Sequence, residues 1–408
     1  MKISDQVNLL MQGTEYGDEK LKQAMADELK DRLILAQSEN RPLRVYCGFD
    51  PRTSDLHIGH TVPIRKMRQF QELGHEVIFV IGRFTSLIGD PSDKDVVRAQ
   101  ISAEEATLNA ESYAQQSFKI LDPDKTRVEY NDTWLSKLNF ADVIRLARNF
   151  TVQQFLSREN FRKRFDQGEP IYLHETFYSL MQGYDALHLK TDVQIGGSDQ
   201  LFNIMTAARK IMSANGEKPN IAIINGILPG TDGVVKMSKS LGNHIPLNST
   251  PEDMYGKVMS VPDKAMGHYF RLITRWSPEE IEQIEGKLDS GDVSPRDIKM
   301  SLAHEVVAIY HGDQEAAAAE DEFRRIFQER KVPENMPKVE ISGSIALFKL
   351  MVAEGLASSN SEARRLIQQR GVSLDGKVID DIKAEVMIET PQVLKVGKRK
   401  FIQLVPKS

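Results

Sequence analysis

A chain of 408 residues is too long for one ordinary core and predicts two or three domains. Its composition, 40% hydrophobic and 27% charged, is that of a water-soluble globular protein, and no stretch approaches the roughly 18 apolar residues of a membrane span. The net charge of −5 is uneven: residues 341–408 hold 11 Lys and Arg against 7 Asp and Glu, while residues 1–340 hold 42 against 51, so an acidic body carries a basic tail suited to a polyanion.

The single cysteine, Cys47, excludes an internal disulfide, and no Cys/His cluster has metal-site spacing, so no bound metal is expected. Lys2, Asp5 and Gln6 come too early for a secretory or transit segment, which predicts the cytoplasm.

In chain order, residues 43–49 form a β-like run followed by a loop with Pro51 and Asp55. A helical pattern over residues 56–73 stops at Gly74, and residues 76–81 are a second apolar run, giving a βαβ unit. Residues from about 102 to 190 are mostly helical in pattern and read as an insertion between two halves of a sheet. Apolar runs at 193–195 and 221–224 extend the reading to a doubly wound parallel α/β sheet, Rossmann-like in type. Residues 251–330 are helix-rich, and residues 332–340 read as a linker containing Pro333 and Pro337. The tail, 341–408, reads as a small α+β domain with helices at 345–354 and 361–367, the second opened by a capping-type Ser361. Its β-like stretches lie around 372–374, before the turn Asp375-Gly376, and around 400–402. The predicted domains are therefore 1–225 with its insertion, 226–331, and 341–408.

Two short motifs stand out, His57-Ile58-Gly59-His60 and Lys236-Met237-Ser238-Lys239-Ser240. The histidines open a predicted helix, where free backbone N–H groups and the helix dipole favour a phosphate. The lysines follow a glycine-rich approach, residues 226–233, able to swing over a triphosphate. Tyr46-Cys47-Gly48, Gly89-Asp90 and Gly196-Gly197-Ser198-Asp199 fall at strand-to-helix turns, beyond which such sheets bind ligands. Neither G-x-G-x-x-G nor G-x-x-x-x-G-K-[ST] occurs at those turns, which argues against dinucleotide and P-loop chemistry. Tyr178, Gln182 and Asp185 are spaced to share one helix face, with Phe177, Leu180, Tyr184 and Leu187 on the other.

Together with Tyr46-Cys47-Gly48-Phe49-Asp50-Pro51, Gly89-Asp90-Pro91-Ser92, residues 178–185 and residues 194–200, these motifs resemble bacterial tyrosyl-tRNA synthetases of class I, and the tail resembles an S4-type RNA-binding domain. The resemblance covers nearly the whole chain and implies tyrosine activation by ATP with Mg²⁺, transfer of tyrosine to tRNA, a homodimer joined through the insertion, and no tightly bound cofactor. It places His57, His60, Lys236, Lys239, Lys94 and Arg98 at the reacting phosphates, and Gly48, Asp50, Gly59, Gly197 and Asp199 around the nucleotide. It places Asp90, Tyr178 and Gln182 at the tyrosine ammonium, Tyr46 and Asp185 at the phenol, and Gln200 at the carboxylate. Asp93 stands where the family often has glycine. Arg364, Arg365, Arg370, Lys398, Arg399 and Lys400 are the implied RNA contacts. The alternatives are a tryptophanyl-tRNA synthetase, expected to lack the Tyr46/Asp185 pair and the tail, and a synthetase-derived RNA-binding protein, expected to lack the intact histidines and lysines.

Overall fold

The structure, a computed structural model, describes residues 1–51, 56–92, 103–327, 336–397 and 400–407. Lys94, Arg98, Lys398 and Arg399 lie outside the described residues. The chain divides into two compact units, Met1–Glu320 and Asp321–Ser408.

The first unit is built on five parallel strands: β1 (Arg44–Phe49), β2 (Glu76–Ile81), β3 (Thr126–Tyr130), β4 (Val193–Gly197) and β5 (Ile221–Asn225). Their order is β3-β2-β1-β4-β5, so the sheet reverses direction of growth between β1 and β4. At such a switch point the loops leaving two neighbouring strands diverge and open a crevice at their carboxyl ends. Tyr46 on β1 stands opposite Gln194 on β4 in that register, directly below the crevice. Both faces of the central strands are covered, and Val45, Ile78, Val80, Val193 and Ile223 are all buried, as in a sheet packed on two sides.

The expected runs for β1, β2, β4 and β5 agree with the observed strands to within one or two residues. The segment over 102–190 is mostly helical among the described residues, as expected, but it also holds β3, which pairs Val128 with Phe79 at the sheet's edge and so moves the start of the insertion. An edge strand of five residues that carries Arg127 and Glu129 has no apolar run to announce it. The segment inserted between strands therefore begins after Tyr130 and contains the helices Phe140–Ala147, Glu159–Asp166 and Leu173–Leu189.

The helix after β1 also starts later than its periodicity suggests. Residues Ile58–His60 form a 3₁₀ turn, and the α-helix Thr61–Glu72 follows, burying Val62, Ile64, Met67 and Phe70. Gly74 closes it at a φ of 87°, a left-handed value that glycine adopts without strain. After β4, the 3₁₀ turn Ser198–Gln200 leads into a π-helical stretch, Phe202–Ala208, whose widened turn carries Asn203.

In the second unit, β6 (Lys338–Ile341), β8 (Val372–Leu374), β9 (Lys377–Val378), β11 (Gln392–Val396) and β12 (Lys400–Pro406) form one sheet. A second, two-stranded sheet pairs β7 (Ser344–Ala346) with β10 (Glu385–Met387). The helices are Leu347–Ala353 and Asn360–Gln368, and Leu347, Leu350, Ile367, Leu394 and Leu404 share the core. The cap of the second helix is Ser359 rather than Ser361: its hydroxyl accepts from Glu362 N at 3.2 Å, and Glu362 reaches back to Ser358 N at 2.7 Å.

Candidate active site

The floor of the crevice is polar but buried. The Tyr46 hydroxyl accepts from Gln194 Nε2 at 2.8 Å and donates to the Gln182 carbonyl at 3.2 Å. Asn220 fixes the other end of the Gln194 amide, donating to its Oε1 at 2.7 Å. Asp185 is 3% exposed, and its carboxylate accepts from Trp134 Nε1 at 2.7 Å and from Asn131 Nδ2 at 3.4 Å. Burial pushes the Asp185 carboxyl up to about 7, against the pull of those two hydrogen bonds. Burial, and then the negative charge of Asp185, raise the Tyr46 phenol well above its ordinary range.

Two helical turns before Asp185, the Tyr178 hydroxyl donates to Asp50 Oδ2 at 3.0 Å, and Thr85 Oγ1 donates to Asp50 Oδ1 at 2.7 Å. Asp90 accepts from Gln200 Nε2 at 2.6 Å and from Ser92 N at 2.8 Å. Asn203 ties this patch together, donating to Gln200 Oε1 at 3.0 Å and accepting from Ser179 Oγ at 2.7 Å. Buried Arg158 backs it, donating to Ser179 Oγ at 3.0 Å and Ser92 Oγ at 2.6 Å, with its guanidinium over Phe161 and Phe202. Gln182 Oε1 lies between these groups in sequence, buried and with no hydrogen-bond partner among the described residues. A buried acceptor left in that state costs stability unless something else pairs it.

At the crevice rim the two signature motifs meet. His57 and His60 stack with ring centroids 3.7 Å apart, and His57 N donates to His60 Nδ1 at 3.3 Å. Burial lowers the His57 imidazole to about 3, helped by His60, His244 and Lys236, so the ring is neutral at physiological pH. The chain that leaves the lysine motif is sewn to the histidine turn: Ile58 N donates to Ile245 O at 3.0 Å and Leu247 N to Leu56 O at 2.8 Å. Lys236 Nζ stands 4.0 Å from Asp199 Oδ2. A Cβ on Gly59 would lie 3.0 Å from the His57 ring, and one on Gly197 2.5 Å from Asp199 Oδ1, so a side chain at either position would press on a neighbouring site residue. Cys47 is buried, and burial with the negative charge of Asp199 keeps it a thiol, which suits no nucleophilic role.

The model of the family described as tRNA synthetases class I (W and Y) matches residues 37–328, and that of the S4 domain matches residues 347–386. A tyrosine–tRNA ligase of Moorella thermoacetica is 48% identical over 379 residues, spanning 93% of this chain and 92% of that protein. A tyrosine–tRNA ligase of Thermotoga maritima is 45% identical over 385 residues, spanning 94% of this chain and 96% of that one. The chain belongs to the tyrosine–tRNA ligase family. Among solved structures of similar fold is a C-terminally truncated Aspergillus nidulans mitochondrial tyrosyl-tRNA synthetase, 25% identical with a TM-score of 0.59, covering 73% of this chain and 89% of that one.

Within the family's fold, the sequence-expected residues Tyr46, Asp50, Tyr178, Gln182, Asp185, Asp90 and Gln200 come together in the crevice, and His57, His60, Lys236 and Asp199 at its rim. Gly48 lies at the end of β1, with the Tyr46 ring 3.7 Å from where its Cβ would be. Lys239 is an exposed residue three positions after Lys236. In the second unit Arg364 and Arg365 are exposed on the helix Asn360–Gln368, Arg364 lying over the Phe348 ring. Arg370 lies 3.9 Å from Asp380. Lys400 donates to the carbonyls of Gly355 at 3.1 Å and Leu356 at 2.9 Å, so its ammonium also holds the loop that follows the helix Leu347–Ala353. Sequence reasoning missed Asn131, Trp134, Arg158, Gln194 and Asn203. Gln194 sits inside a motif already noticed, whereas Asn131 and Trp134 become visible only once β3 is known to end just before them.

Proposed function

We propose that the crevice binds tyrosine and ATP, joins them as tyrosyl-adenylate, and passes the tyrosyl group to tRNA held with the help of the S4 unit. The observation that carries this reading is the buried carboxylate of Asp185, clamped by Trp134 and Asn131 beside the Tyr46 hydroxyl. A phenol O–H donates to Asp185, and Tyr46 turns its own proton to the phenol oxygen in place of the 3.2 Å bond to the Gln182 carbonyl. The substrate ammonium falls to Asp90, Tyr178 and the unpaired Gln182 Oε1, and the carboxylate to Gln200. Phenylalanine leaves the phenol groups unpaired, an effect for which tyrosine-selective synthetases are themselves the standing example.

An amino-acid carboxylate is already ionised at neutral pH, so attack on the α-phosphorus needs no protein base. The chain's work is alignment and stabilisation of the charge that gathers on the departing pyrophosphate. His57 and His60 supply N–H groups at the helix start, Asp199 takes the ribose hydroxyls, and Lys236 and Lys239 meet the outgoing phosphates, with Lys94 and Arg98 assigned there by resemblance. Mg²⁺ enters with the nucleotide; among the described residues no group of three His, Cys, Asp or Glu side chains could hold a metal ion. Pyrophosphate exchange into ATP, run separately with tyrosine, tryptophan and phenylalanine, tests the assignment. Exchange with tyrosine alone is expected, and exchange supported by tryptophan overturns it.

Deleting residues 341–408 is expected to leave tyrosine-dependent exchange within about threefold while tRNA charging falls by about 10²-fold or more, because the tail brings the basic patch and every crevice residue precedes Lys239. Charging by the whole chain should weaken steeply with salt. Full-rate charging by the truncated protein would remove the tail from the reading.

The protein acts in the cytoplasm and as a homodimer in this reading. Among the described residues no helix is long and apolar enough to cross a membrane. Phe140, Val152 and Leu173, all in the insertion, are 80%, 70% and 72% exposed and are the large apolar side chains there that a second copy would cover. The double variant Phe140→Glu, Leu173→Glu is expected to sediment as a monomer where the parent sediments at twice the mass; unchanged sedimentation places the interface elsewhere.

A further inference from the structure

The segment bearing the signature lysines is a small hairpin. Gly230 N donates to Val235 O at 2.8 Å and Met237 N to Leu228 O at 3.0 Å, which puts Lys236 on one strand of the hairpin and Lys239 just past it. At the tip, Asp232 Oδ1 accepts from Val234 N and Val235 N, each at 2.8 Å. Asn243, only 7% exposed, enters this hairpin from the chain that returns beside it. Its Nδ2 donates to Asp232 Oδ2 at 2.5 Å and, more weakly, to the carbonyls of Lys236 at 3.3 Å and Val235 at 3.4 Å. Its Oδ1 accepts from Ser238 N at 2.8 Å, and its carbonyl accepts from Thr231 N at 2.8 Å. The fit is tight, since a Cβ on Gly230 would lie 2.3 Å from the Asn243 amide. Two residues after Asn243, Ile245 is bonded to the histidine turn through Ile58 N.

We propose that Asn243, braced by Asp232, is a positioning residue that sets the hairpin conformation from which Lys236 and Lys239 reach the phosphates. The proposal rests on the phosphate role given to those lysines above. One amide touches the tip, the strand carrying Lys236, and Ser238 between the two lysines, while its own backbone continues into the stretch fastened to the histidines. No other side chain type of this size supplies both the donor for Asp232 and the acceptor for Ser238 N. The same contact holds the Asp232 carboxyl below its ordinary range, together with the N–H groups of Val234 and Val235. A hairpin displaced by an ångström leaves the lysines in place chemically but out of reach in geometry, a loss on the order of 10²-fold.

The test exchanges the two partners. Asn243→Asp keeps the acceptor for Ser238 N but sets two carboxylates face to face, and is expected to slow tyrosine-dependent pyrophosphate exchange by about 10²-fold and raise the KM for ATP. Tyrosine affinity, measured by equilibrium binding without ATP, should stay within about twofold, since the crevice floor is untouched. The double variant Asn243→Asp, Asp232→Asn restores one amide and one carboxylate in reversed order and is expected to recover at least about tenfold of the lost rate. Gly230→Ala, which forces a methyl group onto Asn243, should reproduce the single variant's loss. A fully active Asn243→Asp, a double variant no better than the single one, or loss of tyrosine binding in either would each overturn the proposal. If the unaltered chain shows no tyrosine-dependent exchange, the fault lies in the reading of the crevice instead, and the two failures are thereby told apart.

Discussion

Asp185→Asn is expected to cut kcat/KM for tyrosine in adenylate formation by about 10²- to 10³-fold, the scale of losing a hydrogen bond to a buried charged acceptor and leaving a misfit amide in its place. The same substitution is expected to raise the melting temperature at pH 8. Burial lifts the Asp185 carboxyl to about 7 from a reference value of 3.8, so between those values the folded chain keeps a proton that the unfolded chain has released. The stability linked to this group is therefore fully present below the unfolded value and lost as pH rises through about 7. Asparagine does not titrate, so the variant's advantage should grow over that window and level off above it. Tyrosine binding runs the other way: the phenol needs an ionised acceptor, so the parent's Kd should rise as pH falls below about 7, and the variant's should not. Calorimetry at several pH values, with tyrosine titrations beside it, checks both slopes. A melting temperature that falls in the variant at pH 8 would mean that Asp185 is structural rather than held at a cost for binding.

Lys239→Ala is expected to lower the rate of tyrosyl-adenylate formation by an amount worth about 2–4 kcal/mol, the scale of one removed oxyanion donor, with tyrosine affinity unchanged. Its ammonium has most to gain when charge accumulates on the leaving pyrophosphate, which is a transition-state contact. Lys236→Ala should behave similarly, and the two losses should fall short of their sum because both lysines answer one charge distribution. His57 adds an N–H group rather than charge: its imidazole is held down to about 3, so the pH–rate profile should show no break near 6.5 from this ring. Single-turnover kinetics with tyrosine and ATP measures the rate, and an equal loss of tyrosine affinity would show that the lysine acts through the fold.

How much of this could be read in advance follows from where each signal resides. β1, β2, β4 and β5 are apolar runs bounded by Gly, Pro or polar residues, and burial on both faces leaves no other use for such runs, so local composition was enough. The motif residues were legible for a similar reason: Tyr178, Gln182 and Asp185 share a helix face by periodicity alone. In the second unit the helices and two of the strands were visible, while β6, β7, β9, β10 and β11 were short or alternated with charge.

What the chain could not declare locally is everything that depends on residues far apart in sequence. β3 is an edge strand whose partner β2 lies 45 or more residues earlier, and its charged outer side hides it from any pattern of hydrophobicity. Trp134 and Asn131 reach Asp185 across 51 and 54 residues, Gln194 reaches Tyr46 across 148, and Tyr178 reaches Asp50 across 128. The raised carboxyl of Asp185 and the neutral ring of His57 are properties of burial, and burial exists only once the strands and helices have packed together. The sequence by itself thus determined which groups take part and on which elements they ride. Only the tertiary structure decided their partners, their protonation and their aim, because hydrogen bonds and dielectric are set by neighbours in space.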